Sequence, residues 1–130
     1  MLTRAAAASL VLLLAAACGG GSSDRTVTVG GERVAVARLV DAHAALCEAA
    51  ARPEAARTLF FDRSHEALHT VARGMEDVDR AQAAELLEAK EKVESDLAGP
   101  GDTLPADLSR LADVYRASLG RLAISAPPCD

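Results

Sequence analysis

The chain has 130 residues, half of them hydrophobic, with 14 basic side chains against 19 acidic ones and a formal charge of −5. An acidic balance argues against nucleic acid as a partner and leaves no polybasic patch for lipid headgroups. Phe60, Phe61 and Tyr115 are the only aromatic residues and Trp is absent, so the core has to be assembled from Ala, Leu and Val.

The first predicted element is a leader. Arg4 precedes a run of small and apolar residues from Ala5 to Ala17, followed by Cys18. That run is shorter than the roughly 20 residues needed to span a bilayer, and its basic start and small-residue end read as a signal sequence over residues 1–17. The string LLAAAC resembles the lipobox of bacterial lipoproteins, with Ala15 standing where Leu is usual three positions before the cysteine. The resemblance implies that Cys18 becomes a lipidated N-terminus bearing palmitate or a related acyl chain. The protein is then held at the extracytoplasmic face of the cell membrane. A Gly/Ser-rich tether over residues 18–25 fits this, because such a linker is flexible coil, and acyl chains with a tether anchor a domain without spanning the membrane. Cleavage before Cys18 leaves 113 residues, enough for one domain with a modest core.

Residues 26–36 alternate apolar and polar types on both sides of Gly30-Gly31, the pattern of a short β-hairpin. From residue 37 to 130 the periodicity is helical, and four amphipathic segments joined by short links predict an all-α, antiparallel four-helix bundle. The first helix covers Ala37 to Ala51, with Val36, Val40, His43, Cys47 and Ala50 at spacings of four and three. Pro53 breaks it and opens the second, which runs to Met75 with a kink expected near Asp62 and a stripe of Phe61, His65, Leu68, Ala72 and Met75. Gly74 and the acidic stretch after it close that helix. The third begins at Asp79, whose carboxylate forms a capping-box-like pair with Gln82; Glu88 and Lys92 are expected to pair across one turn. Gly99-Pro100-Gly101 ends it. The fourth starts near Thr103 and buries Leu104, Leu108, Leu111, Tyr115 and Leu122, before a proline-bearing tail carries Cys129.

With Cys18 committed to lipid, Cys47 and Cys129 remain as an even pair in an exported, oxidising setting, and a disulfide between them is predicted. In the chain-entropy picture it stabilises the fold by about 4 kcal/mol.

The chemistry-bearing residues gather on the second helix. His65-Glu66-Ala67-Leu68-His69 matches H-E-x-x-H, in which two imidazoles one turn apart share a zinc ion and the glutamate acts as general base. The extended form of that motif needs Gly and His at positions occupied by Ala72 and Met75. A less demanding arrangement places Asp62, His65 and His69 at i, i+3 and i+7, a candidate transition-metal set to which His43, Met75 or a glutamate of the third helix adds a donor. Against both stands the plain alternative that His65 packs beside Phe61 and Leu68, His69 pairs with Glu66 or Glu76, and His43 is a satisfied core residue.

The signal, the tether and an FFDxxHxxLH-like run with two outer cysteines resemble small helical lipoproteins of high-GC bacteria, a background that the excess of Arg over Lys and the abundance of Ala also fit. The resulting expectation is a membrane-anchored lipoprotein of the cell envelope without catalytic activity. It would be a binding or accessory module, metal-related through the second helix, with an envelope protein as its partner. The alternatives are a purely structural protein-interaction module and a small H-E-x-x-H zinc hydrolase.

Overall fold

A computed structural model of the protein describes residues 25–130. The expected signal sequence, Cys18 and the tether up to Asp24 lie outside the described residues. The described chain is mostly helical, with one two-stranded antiparallel sheet at its start.

Strands β1 (Thr26–Val29) and β2 (Glu32–Ala35) pair in the register Val27 to Val34 and Val29 to Glu32. Gly30 and Gly31 both take positive φ, 57° and 80°, as the tight turn between twisted strands demands. Val29 and Val34 are buried, so the hairpin is docked by one face instead of standing as a loose leader. Helix α1 (Val36–Ala51) continues from β2 without a break. Its inward line is Leu39, Ala42, Leu46 and Ala49, with Val36 and His43 also buried; Val40, Cys47 and Ala50 are only half-buried. The expected stripe is therefore the flank of the true one. In an alanine-rich helix both flanks are apolar, and the neighbours decide which turns inward.

The second helical unit, α2 (residues 53–78), is compound. A 3-10 turn at Pro53–Ala55 leads into an α-helical turn at Ala56–Leu59, a π turn at Phe60–Ser64 and a regular helix at His65–Val78. The kink expected near Asp62 is this π turn. It also corrects the stripe, for Phe60 is fully buried while Phe61 is 42% exposed. The helix runs through Gly74 to Val78, beyond the expected stop. Gly74 is there for packing. A Cβ built on it would lie 2.5 Å from Val29 Cγ1 and 3.3 Å from the Gly30 nitrogen, so the bare glycine lets the hairpin lie against the helix. Gly74→Ala is expected to lower stability by about 1–3 kcal/mol through overpacking. Thermal melts should show the loss, and Val29→Ala in the same chain should recover part of it. A Gly74→Ala melt equal to the parent's would mean that the hairpin does not rest there.

Asp79 alone links α2 to α3 (Arg80–Ala98), and its carboxylate accepts from the Gln82 backbone N–H at 3.0 Å. Only half of the expected box forms, since the Gln82 side chain donates instead to the Val114 carbonyl and the Ser118 hydroxyl of α4 (Leu104–Arg121). The expected Glu88–Lys92 pair is also replaced. Lys92 turns to Asp96 at 2.6 Å and Asp107 at 3.1 Å, knitting α3 to the start of α4, and Glu88 faces Arg110. Helix α4 packs against both α1 and α3. Buried Tyr115 donates its hydroxyl to the Leu39 carbonyl at 2.8 Å, and Leu104, Leu108, Leu111 and Leu119 fill the surrounding core. The tail then folds back along α1, with Ile124 and Ala126 buried and Arg116 donating to the Ala126 carbonyl. It ends in the expected bridge between Cys129 and Cys47.

Candidate functional site

The π turn at Phe60–Ser64 is held from below by α1. Buried Ser64 donates its hydroxyl to the Ala42 carbonyl at 3.1 Å, and Arg63 spans Asp41 at 2.7 Å and Glu48 at 3.2 Å. The next backbone N–H, that of His65, reaches back five residues to the Phe60 carbonyl. Such single π turns interrupt an α-helix at a cost and recur at functional positions. Here the turn brings three rings into file along the surface. Phe61 and His65 have ring centroids 5.4 Å apart, and His65 and His69 stand edge to face at 4.7 Å. Phe60 supports the file from beneath, 5.6 Å from His65. At its upper end the Arg57 guanidinium lies over the Phe61 ring, 5.9 Å from the centroid.

The other wall belongs to α3. His65 Nε2 lies 4.0 Å from Glu94 Oε1, and the same carboxylate receives the ammonium of Lys90, a side chain only 7% exposed. A lysine sunk that far needs an anionic partner, because an unpaired charge there would have lost its hydration without return. Sequence pattern hardly signals this pair, since Lys90 occupies the gap between Leu86 and Val93 on what is otherwise the apolar stripe of α3. His69 is held below the ordinary imidazole range, first by partial burial, then by the positive charge of Lys90 and the neighbouring His65. Its ring is therefore neutral, with a lone pair to offer, at neutral pH.

The two histidines of the expected metal set thus stand side by side. Asp62 is exposed within the π turn, and it is not gathered with them: among the described residues, one trio of His, Cys, Asp or Glu has its ligand atoms within 4.8 Å of one another, and it is His43, Cys47 and Cys129. Glu66 pairs at 2.6 Å with Arg38 of α1, so it is not the partner of His69 and it points away from the α3 side where His65 meets Glu94. The H-E-x-x-H spacing therefore has its glutamate and its first histidine serving different neighbours.

A second cluster lies on the opposite flank of α1. His43 is 2% exposed, its ring is stacked 6.4 Å from that of Tyr115, and both of its nitrogens are 3.8 Å from Cys47 Sγ. Burial is the main influence lowering its pKa, with Arg116 adding to it and Asp113 opposing. A cleft of about 400 Å³ opens beside it, lined by His43, Cys47, Glu48, Pro128, Cys129 and Asp130 among others. His43 is therefore buried as expected, but it sits against the disulfide and not in the middle of the hydrophobic core.

No protein-family model matches the chain, and neither a curated protein nor a solved structure does. Its class is defined by structure alone: among the described residues, a mostly helical domain with a docked β-hairpin and one disulfide.

Proposed function

We propose that the protein is a lipid-anchored, non-catalytic accessory module of the cell envelope. In this reading the helices form an antiparallel four-helix bundle that presents the Phe61–His65–His69 file as its binding face, and the two histidines hold a divalent transition metal. The observation that carries it is the pairing of His65 and His69 at 4.7 Å beside a carboxylate of the next helix, 4.0 Å from His65 Nε2. Imidazoles one helical turn apart can share one ion. Glu94 is the third donor once its carboxylate swings toward the pair, since its ligand atom and theirs do not yet lie within 4.8 Å of one another, and the set suits zinc or ferrous iron.

The chain should retain about one equivalent of zinc after equilibrium dialysis when purified without a histidine tag, as read by elemental analysis. The double variant His65→Ala, His69→Ala should retain none, and Glu94→Gln should bind more weakly. Intact mass of detergent-extracted protein should begin at an acylated Cys18; an uncleaved, unacylated leader would remove the anchoring half of the reading. Zinc content equal in parent and double variant would remove the metal half. It would leave the interaction module, which the 42% exposure of Phe61 beneath Arg57 favours, since aromatic and arginine side chains dominate binding hot spots.

A further inference from the structure

We propose that reduction of the Cys47–Cys129 bridge converts that end of α1 into a binding site for a thiophilic divalent cation of the zinc type, held by Cys47, Cys129 and His43. The site is independent of the histidine pair on α2.

The argument begins with spacing. His43 and Cys47 are four residues apart on α1, so both side chains leave the same face of the helix, and Cys129 is brought to that face by the returning tail. Zinc binds thiolate at about 2.3 Å and imidazole at 2.0–2.1 Å with tetrahedral angles, which sets sulfur and nitrogen about 3.6 Å apart. Cys47 Sγ and the His43 ring nitrogens are already 3.8 Å apart. The two bonded sulfurs have to separate to roughly 3.8 Å around the same ion. The movable partner is Cys129, carried on a tail that has no regular secondary structure from Ile124 onward. Its retreat is into the cleft of about 400 Å³ beside it, which Asp130 also lines. Two thiolates with one imidazole favour zinc over harder ions such as magnesium or calcium.

The chemistry balances with a dithiol reductant. One of its thiolates attacks a sulfur of the bridge, forms a mixed disulfide and expels the other cysteine as thiolate. The second thiolate closes the reductant's own disulfide and releases the remaining cysteine, so two electrons pass to the protein. The cation then takes the two thiolates and the neutral imidazole, and the thiol protons pass to water. A disulfide oxidant takes the two electrons back through the same mixed disulfide, re-forms the Cys47–Cys129 bond and expels the ion.

The test uses cobalt(II) as a coloured substitute for zinc in the full chain carrying Cys18→Ser, so that Cys47 and Cys129 are the only thiols, together with His65→Ala and His69→Ala to remove the other histidines, in mild detergent. After reduction, one equivalent of cobalt should produce the thiolate-to-metal band in the near ultraviolet and the visible bands of tetrahedral cobalt, both bleached by zinc. The oxidised chain should show neither. His43→Gln and Cys129→Ser should each weaken cobalt binding by about tenfold or more, since even outer ligand partners are worth 10–100-fold. Where reduction loosens the fold, equimolar cobalt should restore the helical circular dichroism. Absence of the thiolate band in the reduced chain would overturn the proposal. So would cobalt binding indifferent to His43→Gln, or a reduced chain whose lost helicity cobalt does not restore.

Discussion

Cys129→Ser is expected to destabilise the domain by about 4–5 kcal/mol, the loop-closure value for residues 82 apart in the chain-entropy model. Total stabilities of such domains are about 5–15 kcal/mol, so the bridge decides whether this one stays folded at elevated temperature. The size of the effect comes from where the loop closes. Cys47 sits near the end of α1 and Cys129 in the tail after α4, so the closed loop contains all of α2, α3 and α4. The core it supports is thin: Tyr115 and Phe60 are its only large aromatic groups, and many of the remaining positions are alanine. Calorimetry or circular dichroism of the parent with and without reductant should show a drop in melting temperature of about 20 °C or more, and the serine variant should match the reduced parent. A shift of only a few degrees would mean that Ile124, Ala126 and the Arg116 bond fasten the tail by themselves.

The bridge is legible in the sequence because parity and compartment are coarse signals, which need no knowledge of how side chains face. The hairpin register is legible for a similar reason: only a pair like Gly30-Gly31 supplies two consecutive positive φ values, and the alternation of valines then determines which face turns inward. Finer features depend on comparisons between nearly equal choices. On α1 the line through Leu39, Ala42 and Leu46 competes with one through Val40, His43 and Cys47, and both are apolar; contact with Tyr115 and the docked hairpin settles the rotation. Lys90 looks like a solvated residue in an acidic run until Glu94, one turn on, is seen to neutralise it against α2. The histidine pair is legible from its i, i+4 spacing. Its third neighbour is not, because Glu94 comes from a different helix and nothing local distinguishes it from Glu85 or Glu88.

Two adjacent phenylalanines should respond to truncation in opposite ways. Phe60→Ala is expected to cost about 3–5 kcal/mol, the range for a fully buried aromatic, whereas Phe61→Ala should cost about 1 kcal/mol or less, as for a substitution at the surface. Uninterrupted α-helical winding at ~100° per residue brings Phe61 nearer than Phe60 to the line of Leu68, Ala72 and Met75, which would give the opposite order. Winding by i→i+5 bonds accommodates an extra residue in the turn, and that residue carries Phe60 inward and Phe61 outward. Ser64 makes the arrangement possible: its small side chain lets α1 approach, and its hydroxyl, donated to Ala42, leaves no unpaired polar atom in the contact. Equilibrium urea unfolding of both variants reads the difference directly. Equal losses, or a larger loss at Phe61, would mean that residues 56–78 wind as one regular helix in solution, and the surface file of Phe61, His65 and His69 would not exist in the form described. Phe61→Ala that leaves stability nearly untouched while weakening attachment of a partner would instead mark the ring as kept outside for binding.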